Sequence, residues 1–209
     1  MSLANPSELP CFAEDGKTIN VIVETPKGSR NKFAFDEKRK IFQLKKVLPV
    51  GMAFPYDFGF VPSTKAEDGD PVDVLVLMDE PAFPGCLLQC RVIGVIEGEE
   101  ASKKEKVRND RIVAVEKANH SFGNVDHIHE LGKKFVKELE EFFVNYHALS
   151  GKKYGVLDVK GPTKALRRSE VHRANYFPGH RHASPSVSAM TAPRIPSGFS
   201  CPTVVSRAV

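Results

Sequence analysis

The 209 residues contain no uninterrupted apolar run near the roughly 20 needed to cross a bilayer. The N-terminus also lacks a basic region followed by an apolar one, so no membrane association is expected and the cytoplasm is the expected location. Cysteine is scarce. Cys11, Cys86, Cys90 and Cys201 form no CxxC pair, and Cys86 and Cys90 fall on one expected strand, which argues for reduced thiols. A basic excess is missing from the part that folds. The formal charge of +4 arises in residues 161–209, which carry seven Lys or Arg against one acid and leave 23 against 25 in residues 1–160. Such a balance gives no electrostatic footprint for a nucleic-acid backbone, and no nucleic-acid partner is expected.

Composition changes at the same boundary. Residues 1–160 read as a single domain, and 41% hydrophobic residues suit a soluble globular chain. From Gly161 onward the sequence is rich in Ser, Pro, Arg and His without apolar periodicity. Residues 161–209 are therefore expected to form a disordered basic tail, dispensable for folding and activity.

Short β-rich runs separated by Pro and Gly turns point to an antiparallel barrel or sandwich. Ile19–Glu24 and Asn31–Phe35 read as a hairpin across the Thr25-Pro26-Lys27-Gly28 turn. Further strands are expected over Lys40–Leu48, around Leu75, from Gly85 to Ile96, and over Ile112–Val115, with Glu97–Asp110 as a charged loop. One helix stands out between about His129 and Leu149. Leu131, Phe135, Leu139, Phe142, Phe143 and Tyr146 recur on one face, and such a stripe is core packing against the barrel. The segment Phe54-Pro55-Tyr56-Asp57-Phe58-Gly59-Phe60 places four aromatics on one side of an extended chain, either as a core layer or as a pocket lining.

The most informative segment is Asp68-Gly69-Asp70-Pro71-Val72-Asp73, with three carboxylates in six residues. Asp73 lies inside an apolar strand, on the face of Leu75 and Leu77. A carboxylate there costs several kcal/mol unless compensated, and Asp68 and Asp70 add repulsion. A hard cation is the simplest compensation. Oxygen ligands without nearby Cys or His favour Mg²⁺, Mn²⁺ or Ca²⁺ over zinc, and Mg²⁺ commonly bridges to substrate phosphates. The competing reading is a solvated Asp-Gly-Asp-Pro turn before a core strand.

The acidic D-x-D-P-x-D motif resembles that of the family I soluble inorganic pyrophosphatases. Matches extend over roughly residues 18–160 and include Val23-Glu24-Thr25-Pro26, Lys32-Phe33, Met52-Ala53-Phe54-Pro55, Phe58-Gly59-Phe60, Pro84-Gly85, Arg91–Val95, Arg111–Val115 and Phe142–Tyr146. The resemblance implies a mainly β fold with some α, an OB-like five-stranded antiparallel β-barrel flanked by helices, whose mouth holds several Mg²⁺ ions, with Mn²⁺ as a substitute, and one pyrophosphate. It implies metal-activated hydrolysis to two phosphates and a homo-oligomer. Asp70 and Asp73 then hold or orient the attacking water, with Tyr146 as a further catalytic group. Asp68, Asp70, Asp73, Glu24, Asn109 and Glu100 are the implied metal ligands, and Lys32, Lys46, Arg111, Tyr146 and His147 the implied substrate contacts.

Several positions depart from the family pattern. Ala34 stands where a carboxylate is expected, Lys46 replaces an arginine, Phe54 and Phe58 replace tyrosines, and His147 replaces a lysine. Asn109 falls on a metal-binding aspartate, with Asp110 beside it. These departures motivate an alternative, a catalytically weakened relative that binds a phosphorylated ligand or a partner.

Overall fold

The computed structural model describes residues 5–101 and 106–167, all within one compact unit spanning residues 1–179. The strands are β1 (Ile19–Thr25), β2 (Asn31–Asp36), β3 (Ile41–Val47), β4 (Asp57–Val61), β5 (Val72–Leu77), β6 (Leu87–Ala101), β7 (Lys106–Arg108), β8 (Arg111–Glu116) and β9 (Lys153–Lys160), with helix α1 (Lys133–Ala148) before β9. Five strands close a ring in the order β1-β4-β5-β8-β6, because β6 also pairs with β1. The expected five-stranded closure is present, with one correction. The β5–β8 pairing is parallel, whereas the ring's other pairings are antiparallel.

Apolar runs buried on both faces explain the ring. All seven residues of β1 are buried, and five of six in β5 and β8. Such strands can only be satisfied by pairing on both edges. Gly59 allows β4 to approach β1 closely, since a side chain there would strike the Ile22 carbonyl.

The expected hairpin between the first two strands does not form. Both edges of β1 are taken by β4 and β6, so β2 pairs with β3 in a separate two-stranded sheet. The link survives at one side chain, because Thr25 Oγ1 accepts from the Phe33 amide at 3.0 Å and donates to the Phe33 carbonyl at 3.1 Å. The expected charged loop over Glu97–Asp110 is instead largely strand. β6 runs on to Ala101, β7 folds back on it, and β9 lies along its far half. At the helix, Gly132 adopts φ 83° and separates a short 3₁₀ turn, Ile128–Leu131, from α1. Residues 162–167 are helical, and Ala165 is fully buried in the core, so the fold continues past Gly161. The rest of the expected tail, residues 168–209, lies outside the described residues.

Two apolar clusters flank the sheet. One takes Val21, Val23, Val61, Val72, Val74, Val92, Ile112 and their neighbours from all five ring strands. The other joins Phe58, Leu75, Leu77, Ile93 and Val113 to Val136, Leu139 and Phe143 of α1. This division positions the site. Glu24, Asp73 and Arg111 each adjoin a residue of the first cluster and so point to the opposite, α1-facing side.

Candidate active site

Ring strands supply the floor of a cleft with two lobes of about 530 and 490 Å³. Asp70, Asp73, Arg111 and Tyr146 line both lobes, so these four residues mark where they meet. Glu24 and Lys32 line the first, and Lys46, Asp68, Glu100, Asn109 and His147 the second. The fold thus gathers the eleven residues expected as catalytic groups, metal ligands or substrate contacts into one depression.

Two charge pairs cross the floor. Glu24 Oε2 accepts from Lys32 Nζ at 2.8 Å, and its Oε1 accepts from the Phe35 amide at 2.8 Å. Lys32 Nζ also stands 4.3 Å from the centroid of Phe58. Asp73 Oδ2 meets Arg111 Nη1 at 2.8 Å, with Asp73 a quarter exposed and Arg111 buried. Burial pushes the Asp73 carboxyl up to about 6, against the pull of Arg111 and Lys32. Asp68 and Asp70 remain exposed on their turn, where Asp68 Oδ1 accepts from the Asp70 amide at 3.1 Å.

Tyr146 comes from the last turn of α1. Its hydroxyl is pushed up to about 12, by burial first and then by Asp73, so it stays protonated at neutral pH and can donate a hydrogen bond. Lys46 Nζ lies 3.7 Å from the Tyr146 ring centroid and donates to Ser150 Oγ at 3.0 Å. Its pKa is lowered by burial and then by Lys32 and Lys152. Crowded ammonium groups of this kind favour an anion among them.

The remaining expected residues are engaged by protein partners. His147 is buried and donates from Nδ1 to the Phe143 carbonyl at 2.8 Å, and burial lowers its pKa to about 4. It stacks on Tyr154 with centroids 4.5 Å apart and is uncharged at neutral pH, unlike the lysine it replaces. Glu100 meets Lys152 at 2.6 Å and His147 Nε2 at 3.5 Å. Asn109 Oδ1 accepts from Arg111 Nη1. Asp110 does not substitute for Asn109, because it binds Arg108 Nε at 2.6 Å and lines a different, small cavity.

The four aromatics of residues 54–60 do not form one layer. Phe54 and Phe58 join the α1 core, while Tyr56 packs on Phe122 and Phe135. The strand starts only at Asp57, so strict alternation holds for Phe58 and Phe60, which both line the first lobe. No local sequence signal marks Lys152. It follows the Ser150-Gly151 turn that returns the chain from α1 to β9, whose Tyr154 lies opposite Glu100 of β6, and only that pairing brings it to the cleft.

Among the described residues no three His, Cys, Asp or Glu side chains converge into a ready-made metal cage. The donor set still fits a hard cation. Asp68, Asp70, Asp73 and Glu24 offer oxygen alone, which suits an ion that keeps several waters and shares its shell with a substrate. In addition, Arg111 Nε is a buried donor without a hydrogen-bond partner. Such a group suits an anionic ligand.

The family model for inorganic pyrophosphatase matches residues 21–176. The chain belongs to this family. It is 36% identical to an inorganic pyrophosphatase of Synechocystis over 170 residues, covering 81% of this chain and 98% of the relative. With the inorganic pyrophosphatase of Geobacillus stearothermophilus it shares 34% over 165 residues, covering 79% and 98%. The crystal structure of the Thermus thermophilus inorganic pyrophosphatase superposes with a TM-score of 0.76 at 31% identity, over 83% of this chain and 99% of that one. Family membership makes the chain a hydrolase of the inorganic diphosphatase class. Among its described residues, no helix is long and apolar enough to cross a membrane.

Proposed function

We propose that the chain hydrolyses inorganic pyrophosphate to two phosphates in a Mg²⁺-dependent reaction, with Mn²⁺ as a substitute. The observation that carries this reading is the convergence of Asp70, Asp73, Arg111 and Tyr146 at the junction of the two lobes. Mg²⁺ held by Asp68, Asp70, Asp73 and Glu24 would cancel the charge of the substrate and acidify a water beside it.

The protein groups do the rest. Asp73 uses Oδ2 to bind Arg111, leaving Oδ1 to accept a proton from the attacking water, with Asp70 orienting that water. Lys32, Lys46 and Arg111 bind phosphate oxygens, and the Tyr146 hydroxyl donates to another. Glu100 and Asn109 stand outside the principal ligand set, because Lys152 and Arg111 engage them. His147 acts through Glu100 rather than on phosphate. The protein works in the cytoplasm as a homo-oligomer, without nucleic-acid or membrane partners. Phosphate release from pyrophosphate is expected only with Mg²⁺ or Mn²⁺ present, and equal release with chelator refutes the reading.

The alternative, phosphate-ligand or partner binding without turnover, draws support from Ala34 in the first lobe and from the engaged Asn109. Calorimetry separates the two. Tight pyrophosphate binding with Mg²⁺ and no phosphate release favours the alternative.

A further inference from the structure

Among the described residues three cationic side chains line the second lobe, Lys46, Arg111 and Lys152. Arg111 is buried against Asp73 and Asn109, and Lys46 reaches Ser150 across the Tyr146 ring. Residue 147 adds no charge to this wall, because the His147 ring is buried, donates to the Phe143 carbonyl and stacks on Tyr154. Lys152 is the cation to which the reaction has so far given no task.

The turn after α1 brings Lys152 back to the corner that His147 occupies. Gly151 adopts φ 68°, a left-handed conformation that suits glycine, and the Ser150 and Lys152 amides donate to the His147 carbonyl at 2.9 and 3.3 Å. Register then fixes the reach of the side chain, since Lys153 and Tyr154 pair with Ala101 and Glu100 of β6. Glu100 Oε1 accepts from Lys152 Nζ at 2.6 Å, and Oε2 of the same carboxylate lies 3.5 Å from His147 Nε2. One carboxylate therefore spans the imidazole and the ammonium. An ammonium has three donors, and Lys152 is exposed, so its contact with Glu100 leaves two for an anion in the lobe. Its charge is already felt there, because the Lys46 pKa is lowered by burial, then by Lys32 and Lys152.

We propose that Lys152 binds a phosphate oxygen of the substrate in the second lobe, opposite Lys46, and supplies there the positive charge that His147 does not carry. This rests on the hydrolytic reading above and adds a substrate contact to the same cleft. Glu100 is then the resting counter-ion that holds the ammonium in place until phosphate arrives. The contact forms on binding and is kept through the reaction, so its loss should appear in KM more than in kcat.

The test uses the full-length protein. Lys152→Ala is expected to raise KM for pyrophosphate about tenfold with a much smaller change in kcat, and to weaken the binding of inorganic phosphate, measured by calorimetry with Mg²⁺, by a similar factor. Lys152→Arg should preserve both, because it keeps the charge. An exposed ion pair contributes little to folding, so the melting temperature should hardly move. A role confined to restraining Glu100 is separated by a double-mutant cycle, since Lys152→Ala should still raise KM in a Glu100→Gln background, where nothing remains to restrain. A change below about threefold in either KM or phosphate affinity, or an effect that vanishes in the Glu100→Gln background, would overturn the proposal. Absence of turnover in wild type is a different failure, because it refutes the hydrolytic reading and leaves the phosphate titration to decide on Lys152.

Discussion

The cleft is built from two regions of opposite mechanical character. Glu24, Asp73 and Arg111 project from ring strands whose edges are paired on both sides. Lys32 and Lys46 project from β2 and β3, a two-stranded sheet outside the ring, where Ile41, Leu44 and Val47 are exposed. Functional groups on the ring are held by a closed hydrogen-bonded lattice, whereas those on the hairpin are held by their partners. Ring substitutions should therefore act on chemistry with geometry preserved. Hairpin substitutions should act on binding and on the residues left behind.

The sharpest test of the ring is Asp73→Asn. The amide is nearly isosteric and keeps an oxygen for Arg111, but it can neither accept a proton nor bring charge to a cation. Mg²⁺-dependent phosphate release is expected to fall by roughly 10³-fold in kcat, the scale of losing one preorganised group in a reaction centre. The melting temperature of the metal-free protein should not drop, because a partly desolvated carboxylate is removed. Steady-state kinetics beside thermal unfolding checks both. Near-normal kcat would move the proton-accepting role off the ring.

On the hairpin, Lys32→Ala and Lys46→Ala should differ although the two residues face each other across the β2–β3 register. Lys32 neutralises the buried Glu24, whereas Lys46 only donates to Ser150 and covers Tyr146. Lys32→Ala is expected to lower kcat/KM about 100-fold and to reduce stability as well, since a buried charge loses its partner. Lys46→Ala should raise KM about tenfold, the loss of one phosphate contact, with little change in melting temperature. Equal effects on stability would erase the distinction between a paired and a waiting lysine.

The pH dependence of metal-free stability sharpens the same contrast, because burial raises the ring carboxylate of Asp73. The Asp73 carboxyl lies near 6 in the folded chain against an ordinary 3.8, chiefly through burial. The folded protein thus keeps a proton on Asp73 that the unfolded chain releases, so Asp73 lowers stability as pH rises from about 4 to 6, whereas His147, lowered from 6.5 to about 4, raises it over much of the same window. Mg²⁺ must displace that proton below pH 6, so its gain in melting temperature should be larger at pH 7.5 than at pH 5. Calorimetric scans with and without Mg²⁺ measure this, and Asp73→Asn should leave metal-free stability rising from about pH 4 to 6.5 through His147 alone. A pH-independent Mg²⁺ gain would place the ion away from Asp73.

The same division explains what could be read from the sequence. Ring strands announce themselves through continuous apolar runs, and Asp73 is conspicuous because it interrupts one. Face alternation then sets Asp73 beside Leu75 and Leu77, whereas Glu24 and Arg111 are marked only by their resemblance to family positions and are brought to Asp73 by strand pairing. The expected β1–β2 hairpin is absent because a Pro-Gly turn signals a reversal and does not say which edge the returning strand will meet. The strands at 97–110 were hidden for a related reason, since β6 beyond Ile96 is acidic and acquires its partners, β7 and β9, from remote segments. Lys152 and the engagement of Asn109 by Arg111 depend on those same pairings, so no local pattern could reveal them.

The smallest effect concerns the end of the fold. Composition turns polar after Gly161, yet residues 162–167 form a helical turn that buries Ala165 against the ring cluster, with Leu166 packed beside it. Two short apolar side chains contribute about 1–2 kcal/mol, which corresponds to about 5 °C in a chain of this size. Truncation after Gly161 should therefore lower the melting temperature by that amount and leave kcat nearly unchanged, because neither side chain touches the cleft. Truncation after Arg167 should match the full-length chain in both. If the two truncations melted together, Ala165 and Leu166 would contribute nothing to the ring, and the domain would end at Gly161 after all.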